Sequence, residues 1–476
     1  MDVPGLYQVR PENIDMDGTE LRLLNLLLDT WGRHIANNVR NEAYYYGRVR
    51  PVSTDTNDPD ELRRLSVVMG WGGKCVDVLA ARSVLDGWAG DGAAASELEG
   101  ALGIDMPGLY QQAVVSELTD SCSFLTVSKG AAGEPDVIVS AHSALDAVAV
   151  WDERRKRIRA GLCVIDIEEM PDGTREPTWL NMYTDDMTYS MRRAPGGRWG
   201  VERVTNPLGR PLMEPLRYRP TLTRPFGRSR INRTVRSLID RALCVGSRTE
   251  VTATYYTWPM RYLLGVDKKT VEGMGKRKLE LYSDRMLVAS TTSTGSIPQL
   301  GQLPQATMQP HIDHLEMLAK QFASEASVPL DEVGIVFDNP SSAEAMEAAQ
   351  KRLITEAEDV NRLNGIALRN VARMALACMR GVTLDGLDEA ALSVRPMFAN
   401  PLRPSASARA DFALKVASMV PEYAMTPHCW RDLGYSVEES AEILRDVNAA
   451  RAANMVAQQA AARAASAPAP APDRGE

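Results

Sequence analysis

Two short segments contain residue types whose spacing could support chemistry at a phosphate group or a metal ion. Residues 70–74 (GWGGK) have the glycines and the lysine that a phosphate-binding loop uses. A Walker A loop also needs a glycine five residues before its Gly-Lys pair and a serine or threonine directly after it. Val68 and Cys75 occupy those positions. We therefore do not expect this segment to bind a nucleotide.

The histidines do not predict a metal site. His311 and His314 lie on a predicted helix with Glu316 nearby, but an H-x-x-H pair without a further ligand is a weak metal signal. Surface histidines near a helix start are the favoured interpretation. There is also no G-x-S-x-G elbow and no apparent nucleophile–base pair. We expect no catalytic residues, no metal, no cofactor and no enzymatic activity.

The cysteines are scattered, and none belongs to a C-x-x-C pair. This distribution predicts reduced and mostly buried thiols, and neither a disulfide framework nor a zinc site. The six residues concerned are Cys75, Cys122, Cys163, Cys244, Cys378 and Cys429.

A set of arginines between residues 228 and 254 has a spacing with physical meaning. On a helical wheel Arg230, Arg241 and Arg248 fall within about 20° of one another, and Arg233 lies about 60° away. They can form the solvated stripe of an amphipathic helix. Alternatively, they form a ladder of guanidinium groups that faces a polyanion, which a ring of subunits would turn into belts of positive charge. Both interpretations remain open.

The residues that follow, from Val328 to Met374, predict a turn and then a helix of unusual length. A loop rich in turn formers (DNPSS, residues 338–342) precedes about 38 residues without proline whose apolar positions recur at helical spacing. Ser341 or Ser342 can cap this helix. Its apolar face consists mostly of alanine and methionine, which suits close packing against neighbouring helices or copies of itself. The segment 328–358 has seven acids against two bases, which would repel DNA, or simply form a solvated face.

Several shorter elements surround this long helix. Residues 122–225 contain alternating runs separated by Gly, Pro and Asp turns, which predict antiparallel strands. The basic run at 154–157 (RRKR) lies between two of them, and a solvated hairpin is favoured there over a nucleic-acid patch. Helices are predicted at residues 19–46, 74–85, 108–119, 228–254, 309–327 and 405–462.

The overall composition is that of an ordinary globular protein. A chain of 476 residues can form two or more domains, and its net charge of −8 argues against a simple DNA-coating protein. It does not exclude a protein that surrounds DNA without gripping it. We expect neither a signal peptide nor a membrane span, because the N-terminus is acidic and no apolar run is long enough.

The order of these elements resembles that of portal proteins of tailed double-stranded DNA bacteriophages, of the long-tailed type found in actinobacteriophages. The resemblance extends from about residue 20 to residue 400. The last two of the segments that carry it are specific together, whereas each of the others alone is weak. The segments are YYG (45–47), KCVDVLAARSVLDGW (74–88), RPFGRSRINRTVRSLIDRAL (224–243), TYYTWPMRYLLGVD (254–267), LAKQFASEASVPLDEVGI (318–335) and NPSSAEAMEAAQKRL (339–353).

This resemblance implies an α+β portal fold assembled as a ring, usually of twelve copies, with an α/β wing, a two-helix stem, a small α/β clip, a long kinked helix and a helical crown. The implied divisions are the wing (1–225), first stem helix (228–254), clip (255–308), second stem helix (309–327), tunnel loop (328–341), long helix with wing completion (342–404), crown (405–462) and a disordered Ala/Pro tail (463–476). It makes Arg230, Arg233, Arg241 and Arg248 candidates for contact with DNA in the channel. The implied candidates in or next to the tunnel loop are Asp331, Glu332, Asp338, Asn339, Ser341 and Ser342.

The function implied by the resemblance is that of a head–tail connector. It would sit at one capsid vertex of the virion, after assembly in the cytoplasm of a bacterial host, and conduct double-stranded DNA during packaging, retention and ejection. Its implied partners are the terminase large subunit, head-completion or adaptor proteins, and the major capsid and scaffolding proteins, with no membrane. A packaging ATPase is disfavoured by the Walker A mismatches. A helical adaptor or scaffold without DNA passage explains the acidic charge equally well, but not the long helix combined with a clip-like insertion.

Overall fold

The computed structural model describes residues 13–50, 67–103, 105–130, 133–169, 175–257, 261–264, 299–302, 307–334, 343–402, 406–435 and 437–465. Its helices vary in length from 5 to 38 residues. They are α1 Gly18–Tyr45, α2 Trp71–Ala80, α3 Gly92–Leu102, α4 Met106–Asp120, α5 Arg233–Thr257, α6 Gln309–Ala326, α7 Ala343–Arg380, α8 Glu389–Ser393, α9 Ala406–Met419, α10 Pro427–Leu433 and α11 Val437–Ala465.

The strands form four antiparallel groups. Their bounds are β1 Leu85–Ala89, β2 Cys122–Lys129, β3 Val137–Ser143, β4 Ala147–Asp152, β5 Arg157–Glu169, β6 Arg175–Tyr183, β7 Met187–Arg193, β8 Trp199–Thr205, β9 Met213–Arg217, β10 Arg261–Leu264, β11 Gln299–Gln302 and β12 Arg395–Phe398. Five strands make a sheet in the order β4-β5-β6-β7-β8, and three make a sheet in the order β3-β2-β9. In addition, β1 pairs with β12 and β10 pairs with β11. The predicted antiparallel region is therefore confirmed.

Helix α1 covers one face of the five-stranded sheet. Its start is fixed by a capping box, in which the Asp17 carboxylate accepts from the backbone N–H groups of Thr19 and Glu20 while the Glu20 carboxylate accepts from the Asp17 N–H. The predicted apolar side, including Leu24 and Trp31, is buried against the sheet. The other face of this sheet packs on the three-stranded sheet through a smaller apolar cluster.

The long helix α7 runs without interruption from Ala343 to Arg380 and forms a wall of the largest core. Leu353, Val360 and Val371, which belong to the predicted apolar face, are buried. Ala372 and Ala375 are completely buried against the rest of the same chain. The small side chains therefore serve close packing inside the subunit, where a larger residue would have to displace its neighbours.

Several predicted boundaries need correction. The helix predicted at 228–254 begins only at Arg233, because the preceding residues form an irregular lead-in held by hydrogen bonds to other elements. The helix predicted at 74–85 instead spans Trp71–Ala80, since Leu85 pairs with Phe398 in a strand. The predicted 405–462 helix is interrupted around Pro421 and Gly434 and continues to Ala465. Helix α3 was not predicted.

Part of the expected clip and tunnel loop falls outside the described residues. Of residues 255–308, the paired strands β10 and β11 are the main described feature. Asp338, Asn339, Ser341 and Ser342, with the expected cap at the start of α7, lie outside them, as do residues 466–476. Within the described ranges, no helix is both long and apolar enough to cross a membrane.

Candidate functional site

Arg230 lies where α2, the segment before α5, the end of α6 and the long helix α7 meet. It precedes α5, and its side chain is only 3% exposed. The guanidinium donates hydrogen bonds to the carbonyl oxygens of Cys75 on α2 and Ala326 at the end of α6. It also donates to the Tyr218 hydroxyl at 3.1 Å. A single side chain thus connects α2, α6 and the segment that leads into α5.

The charge of Arg230 is matched by Glu356 on α7. Its guanidinium lies 2.8 Å from Oε1 of this carboxylate, which is 4% exposed. Oε1 also accepts a hydrogen bond from the Tyr218 hydroxyl. Arg219 forms a second ion pair with the same oxygen at 2.8 Å. Burial is the largest single influence and acts to raise the pKa of Glu356. The charge of Arg230, the hydrogen bonds from Tyr218 and Arg230, and the charge of Arg219 together outweigh it and hold the pKa below its ordinary value. Both groups therefore remain charged inside the protein.

This arrangement corrects the expectation for Arg230. The residue is not on the helix, and its guanidinium is occupied by Glu356, Tyr218 and two backbone carbonyls, so it does not share an exposed stripe with the other arginines. The helical-wheel spacing pointed to Arg230 only because α5 was expected to begin at residue 228. A buried arginine that donates to backbone carbonyls of other helices follows no periodic sequence pattern, so the sequence alone could not identify this role.

Arg233, Arg241 and Arg248 do lie on α5, and all three are exposed. None of the three forms an ion pair with a described residue. Arg233 and Arg241 line an open groove of about 760 Å³ between α5 and α6. The remaining lining residues are Thr234, Ser237, Leu238, Met317, Lys320, Gln321, Ser324 and Glu325. The groove has an excess of positive charge, because its lining includes three basic residues and one acid. The basic residues are Arg233, Arg241 and Lys320, and the acid is Glu325.

Helix α5 is held in place by contacts from the helices before it. The hydroxyl of Tyr44, near the end of α1, donates to the Asp240 carboxylate at 2.8 Å. Burial and this hydrogen bond raise the pKa of Tyr44 to about 12. Trp71 on α2 stacks on Phe322 of α6, with ring centroids 4.9 Å apart. Tyr44, directly before the YYG segment, therefore anchors the arginine-bearing helix α5 to α1.

A second buried polar group lies beneath α7. Asn364 donates from Nδ2 to the Glu117 carboxylate at 2.7 Å and to the Tyr110 hydroxyl at 3.2 Å. Ser83 contacts the same hydroxyl at 2.8 Å and donates to Asn361. Complete burial raises the pKa of Glu117 to about 8, so this carboxyl group is mostly protonated at neutral pH. These residues join α7 to α4, and no sequence motif predicted them.

The described part of the predicted tunnel loop is a single short turn. Asp331–Val333 form a 3₁₀ helix directly after α6. Asp331 is exposed, whereas the Glu332 carboxylate pairs with Lys74 on α2 at 3.1 Å, both groups being at least one-third exposed. The structure therefore brings Lys74 of the GWGGK segment to this turn, and not to a phosphate site.

A family model described as "Phage portal protein, SPP1 Gp6-like" matches residues 25–446. The chain belongs to this family of phage portal proteins. The expected membership of this family, the α+β portal fold and the role as a portal are therefore confirmed. This portal chain is a component of the virion.

Individual proteins resemble this portal chain over most of its length. It is 26% identical over 423 residues to the portal protein of Mycobacterium phage D29, covering 85% of this chain and 84% of that protein. It is 27% identical over 424 residues to the portal protein of Mycobacterium phage L5, with the same coverage of 85% and 84%.

Two solved structures are also similar. One comes from the virion of a native gene transfer agent particle (TM-score 0.44, 11% identity, 81% of this chain and 89% of that chain covered). The other comes from the neck of a native gene transfer agent particle computed with C12 symmetry (TM-score 0.43, 13% identity, 73% and 85% covered).

The remaining chemical candidates of the portal chain have structural explanations. Gly72 is required by packing, since a Cβ there would lie 2.1 Å from the Tyr44 carbonyl oxygen. Cys75 is buried, and burial raises the pKa of its thiol to about 11. The Nε2 atom of His311 contacts the Thr252 hydroxyl at 3.3 Å. Within the described ranges, no group of three or more His, Cys, Asp or Glu residues is placed to hold a metal ion.

The basic run between β4 and β5 forms a hairpin tip whose charges are largely compensated. Arg155 and Arg157 both pair with Asp185, at 2.7 and 3.1 Å. Lys156 pairs with Glu153 at 2.9 Å. These contacts favour the solvated hairpin over the nucleic-acid patch, because acids of the chain already neutralise most of the positive charge.

Proposed function

We propose that this portal chain assembles as a ring, usually of twelve copies, at one vertex of the capsid, and that double-stranded DNA passes through the ring during packaging and ejection. The observation that carries the proposal is the set Arg233, Arg241 and Arg248, exposed along α5 without an ion-pair partner among the described residues. In a ring these side chains repeat once per subunit, so each position becomes a belt of guanidinium groups.

The proposed mechanism is electrostatic and geometric, with no bond chemistry. Phosphates exchange their counterions for guanidinium groups in contacts that are individually weak and sensitive to salt, which permits DNA to slide. The exposed carboxylate of Asp331 would lie beside the DNA path, where it repels phosphates and limits sticking. The resemblance assigns Glu332, Asp338, Asn339, Ser341 and Ser342 to the same tunnel-loop region.

The buried Arg230–Glu356 pair supports this function by fixing the geometry of the ring wall. It connects α7 to the end of α6 and the start of α5, so a displacement of the turn after α6 is transmitted to the long helix. We assign it a positioning role, since neither group is exposed to a passing ligand. The further partners in this proposal are terminase at the clip, head-completion proteins, and the capsid and scaffolding proteins during assembly in the bacterial cytoplasm.

The test is a triple charge reversal of the stem arginines, Arg233→Glu, Arg241→Glu and Arg248→Glu, in assembled particles. We expect rings that still form but package and retain less DNA, measured as protected DNA per particle. The matched control reverses Arg198, Arg224 and Arg369, which are also exposed but lie outside α5. Equal DNA content in the two triple variants would contradict the assignment of α5 to the channel.

A further inference from the structure

A second open pocket lies beside the Arg230–Glu356 pair, where the chain that follows β9 meets the first half of α7. Its volume is about 470 Å³, and the proposed function does not use it. Three of its lining residues are basic and two are acidic. The complete lining consists of Arg219, Lys351, Arg352, Thr355, Glu356 and Asp359.

Both acids of this pocket are already paired with arginines. Glu356 pairs with the buried Arg230 and with Arg219, each at 2.8 Å. Asp359 pairs with Arg362, three residues later on α7, at 2.7 Å. Together with Lys351 and Arg352, these arginines make five basic groups around two carboxylates. The pocket and its surroundings therefore have an excess of three positive charges.

The first of the basic side chains, Arg219, is held rigidly at the edge of the pocket. Its φ of 47° lies in the left-handed region, which a residue other than glycine rarely adopts. The ion pair with Glu356 fixes its guanidinium, which also lies 5.4 Å from the centre of the Tyr218 ring. Because Arg230 already matches the charge of Glu356, the charge of Arg219 is not needed to neutralise this carboxylate.

The other two basic side chains come from α7 and also lack a counter-ion. Arg352 donates from Nη1 to the carbonyl oxygen of Ser324 at 3.1 Å, which orients its guanidinium but leaves its charge unmatched. Lys351 is exposed and forms no ion pair with a described residue. Three cationic groups from two separate parts of the chain therefore meet at one pocket.

Two further acids lie near these residues but do not line the pocket. The carboxylate of Glu325, next to Ser324, accepts from the Asn232 side chain at 3.2 Å and lines the groove between α5 and α6. Glu358 is seven residues after Lys351, or about 10 Å along the axis of α7. Exposed charges at such a separation are largely screened in physiological salt. Neither acid removes the excess of positive charge from the pocket.

We propose that this pocket binds a phosphate group. A phosphate presents oxygens on several sides, so Arg219 can bind it from one side while Lys351 and Arg352 bind it from the other. A carboxylate has only two oxygens, and a single guanidinium can satisfy both. A free phosphate ion and the backbone of DNA offer the same oxygens to the pocket. The bound group would join α7 to the segment after β9 and would supply the missing negative charge.

The first experiment tests the free ion by thermal unfolding of the full chain. Sodium phosphate is compared with sodium chloride at the same pH and ionic strength. Phosphate should raise the unfolding midpoint of the unaltered chain by about 1–2 °C, because it binds only the folded state. Lys351→Gln with Arg352→Gln should abolish this rise. Both residues are exposed, so the double variant should fold.

The matched control is Arg198→Gln with Lys415→Gln. These residues are also exposed, lie outside the pocket, and carry the same total charge as the pair on α7. General attraction of anions to the chain therefore falls equally in the two double variants. The control should keep the full rise of the midpoint in phosphate.

The second experiment tests DNA as the source of the phosphate, by fluorescence anisotropy with a short duplex at several salt concentrations. If a backbone phosphate occupies the pocket, the double variant on α7 should make the slope of log affinity against log salt concentration shallower by about 0.9, and the control should not. An altered slope assigns the site to DNA, and an unaltered slope with a lost phosphate effect assigns it to the free ion. Both double variants behaving alike in both experiments would overturn this inference. The arginines of α5 lie outside the pocket, so the proposed function would stand.

Discussion

The guanidinium of Arg230 and the carboxylate of Glu356 form an ion pair at 2.8 Å in which the side chains are 3% and 4% exposed. Two charges removed from water in this way are tolerated because each is also hydrogen bonded, Arg230 to two backbone carbonyls and Glu356 to Tyr218. The pair joins the long helix to the ends of two other helices. The stability of the subunit and the relative positions of α5, α6 and α7 therefore depend on the same ion pair.

Arg230→Gln should destabilise the subunit by about 3–5 kcal/mol, because it removes the buried counter-ion of Glu356 and leaves only Arg219, whose side chain is 45% exposed. The free energy of unfolding in urea measures the effect. Arg233→Gln, three residues later and exposed, should change it by no more than about 0.5 kcal/mol. Arg230→Gln combined with Glu356→Gln should cost less than the sum of the two single changes. Equal effects of Arg230→Gln and Arg233→Gln would contradict the structure.

Arg230 also shows where prediction from sequence succeeds and where it stops. The apolar period of α5 places Val235, Leu238, Ala242 and Val245 on a buried face, and the structure confirms this. Periodicity does not reveal that the chain before Arg233 is not helical, because its conformation depends on hydrogen bonds to distant elements, such as the one from the Ser229 hydroxyl to the Thr119 carbonyl. Arg230 lies in this lead-in, so its predicted place on the arginine stripe of α5 was wrong.

The same distinction applies to the rest of the fold. Long amphipathic helices and alternating strands were predictable because their patterns are local. The pairing of β1 with β12 joins residues more than 300 positions apart, and helix α3 has little apolar periodicity. The contact between Glu117 and Asn364 likewise depends on how α4 and α7 cross, which neither segment encodes alone. Family resemblance, and not residue chemistry, supplied the correct function.

Glu117→Gln should stabilise the subunit, and the gain should increase with pH. The pKa of Glu117 is raised from an ordinary 4.5 to about 8 by burial, so between these values the folded chain holds a proton that the unfolded chain releases. The stabilisation that comes from the raised pKa is therefore fully present below pH 4.5 and is lost as the pH rises towards about 8. The free energy of unfolding falls by at most about 1.4 kcal/mol per pH unit over this range. Glutamine does not titrate, so the Glu117→Gln variant does not lose stability in this way as the pH rises.

Urea unfolding at pH 5 and pH 8 checks this prediction, with Glu358→Gln as the control because Glu358 is exposed on the same long helix. The difference between Glu117→Gln and the unaltered chain should be larger at pH 8 than at pH 5. A difference that is the same at both values would show that Glu117 is ionised in the folded chain.

Gly72→Ala should destabilise the subunit, although an alanine is normally favoured over glycine inside a helix. Its Cβ would lie 2.1 Å from the carbonyl oxygen of Tyr44, so the backbones of α1 and α2 must separate, at a cost of about 1–3 kcal/mol. Gly73→Ala is the matched control, since its nearest contact would be an ordinary 3.4 Å. Thermal unfolding should show a lower midpoint for the first variant only. Two unchanged midpoints would mean that the helices do not cross this closely.

The last prediction concerns the basic hairpin between β4 and β5. Its arginines could bind nucleic acid if they left their ion pairs with the acids of the chain. Arg155→Ala with Arg157→Ala removes both partners of Asp185. We expect a stability loss of no more than about 1 kcal/mol per pair, since these groups are partly exposed.

We also expect no change in the salt dependence of DNA binding, measured by fluorescence anisotropy with a short duplex. Each phosphate contact contributes about −0.9 to the slope of log affinity against log salt concentration. A slope that becomes shallower by roughly twice that amount would show that both arginines contact phosphates, and that the acids around them do not neutralise the hairpin.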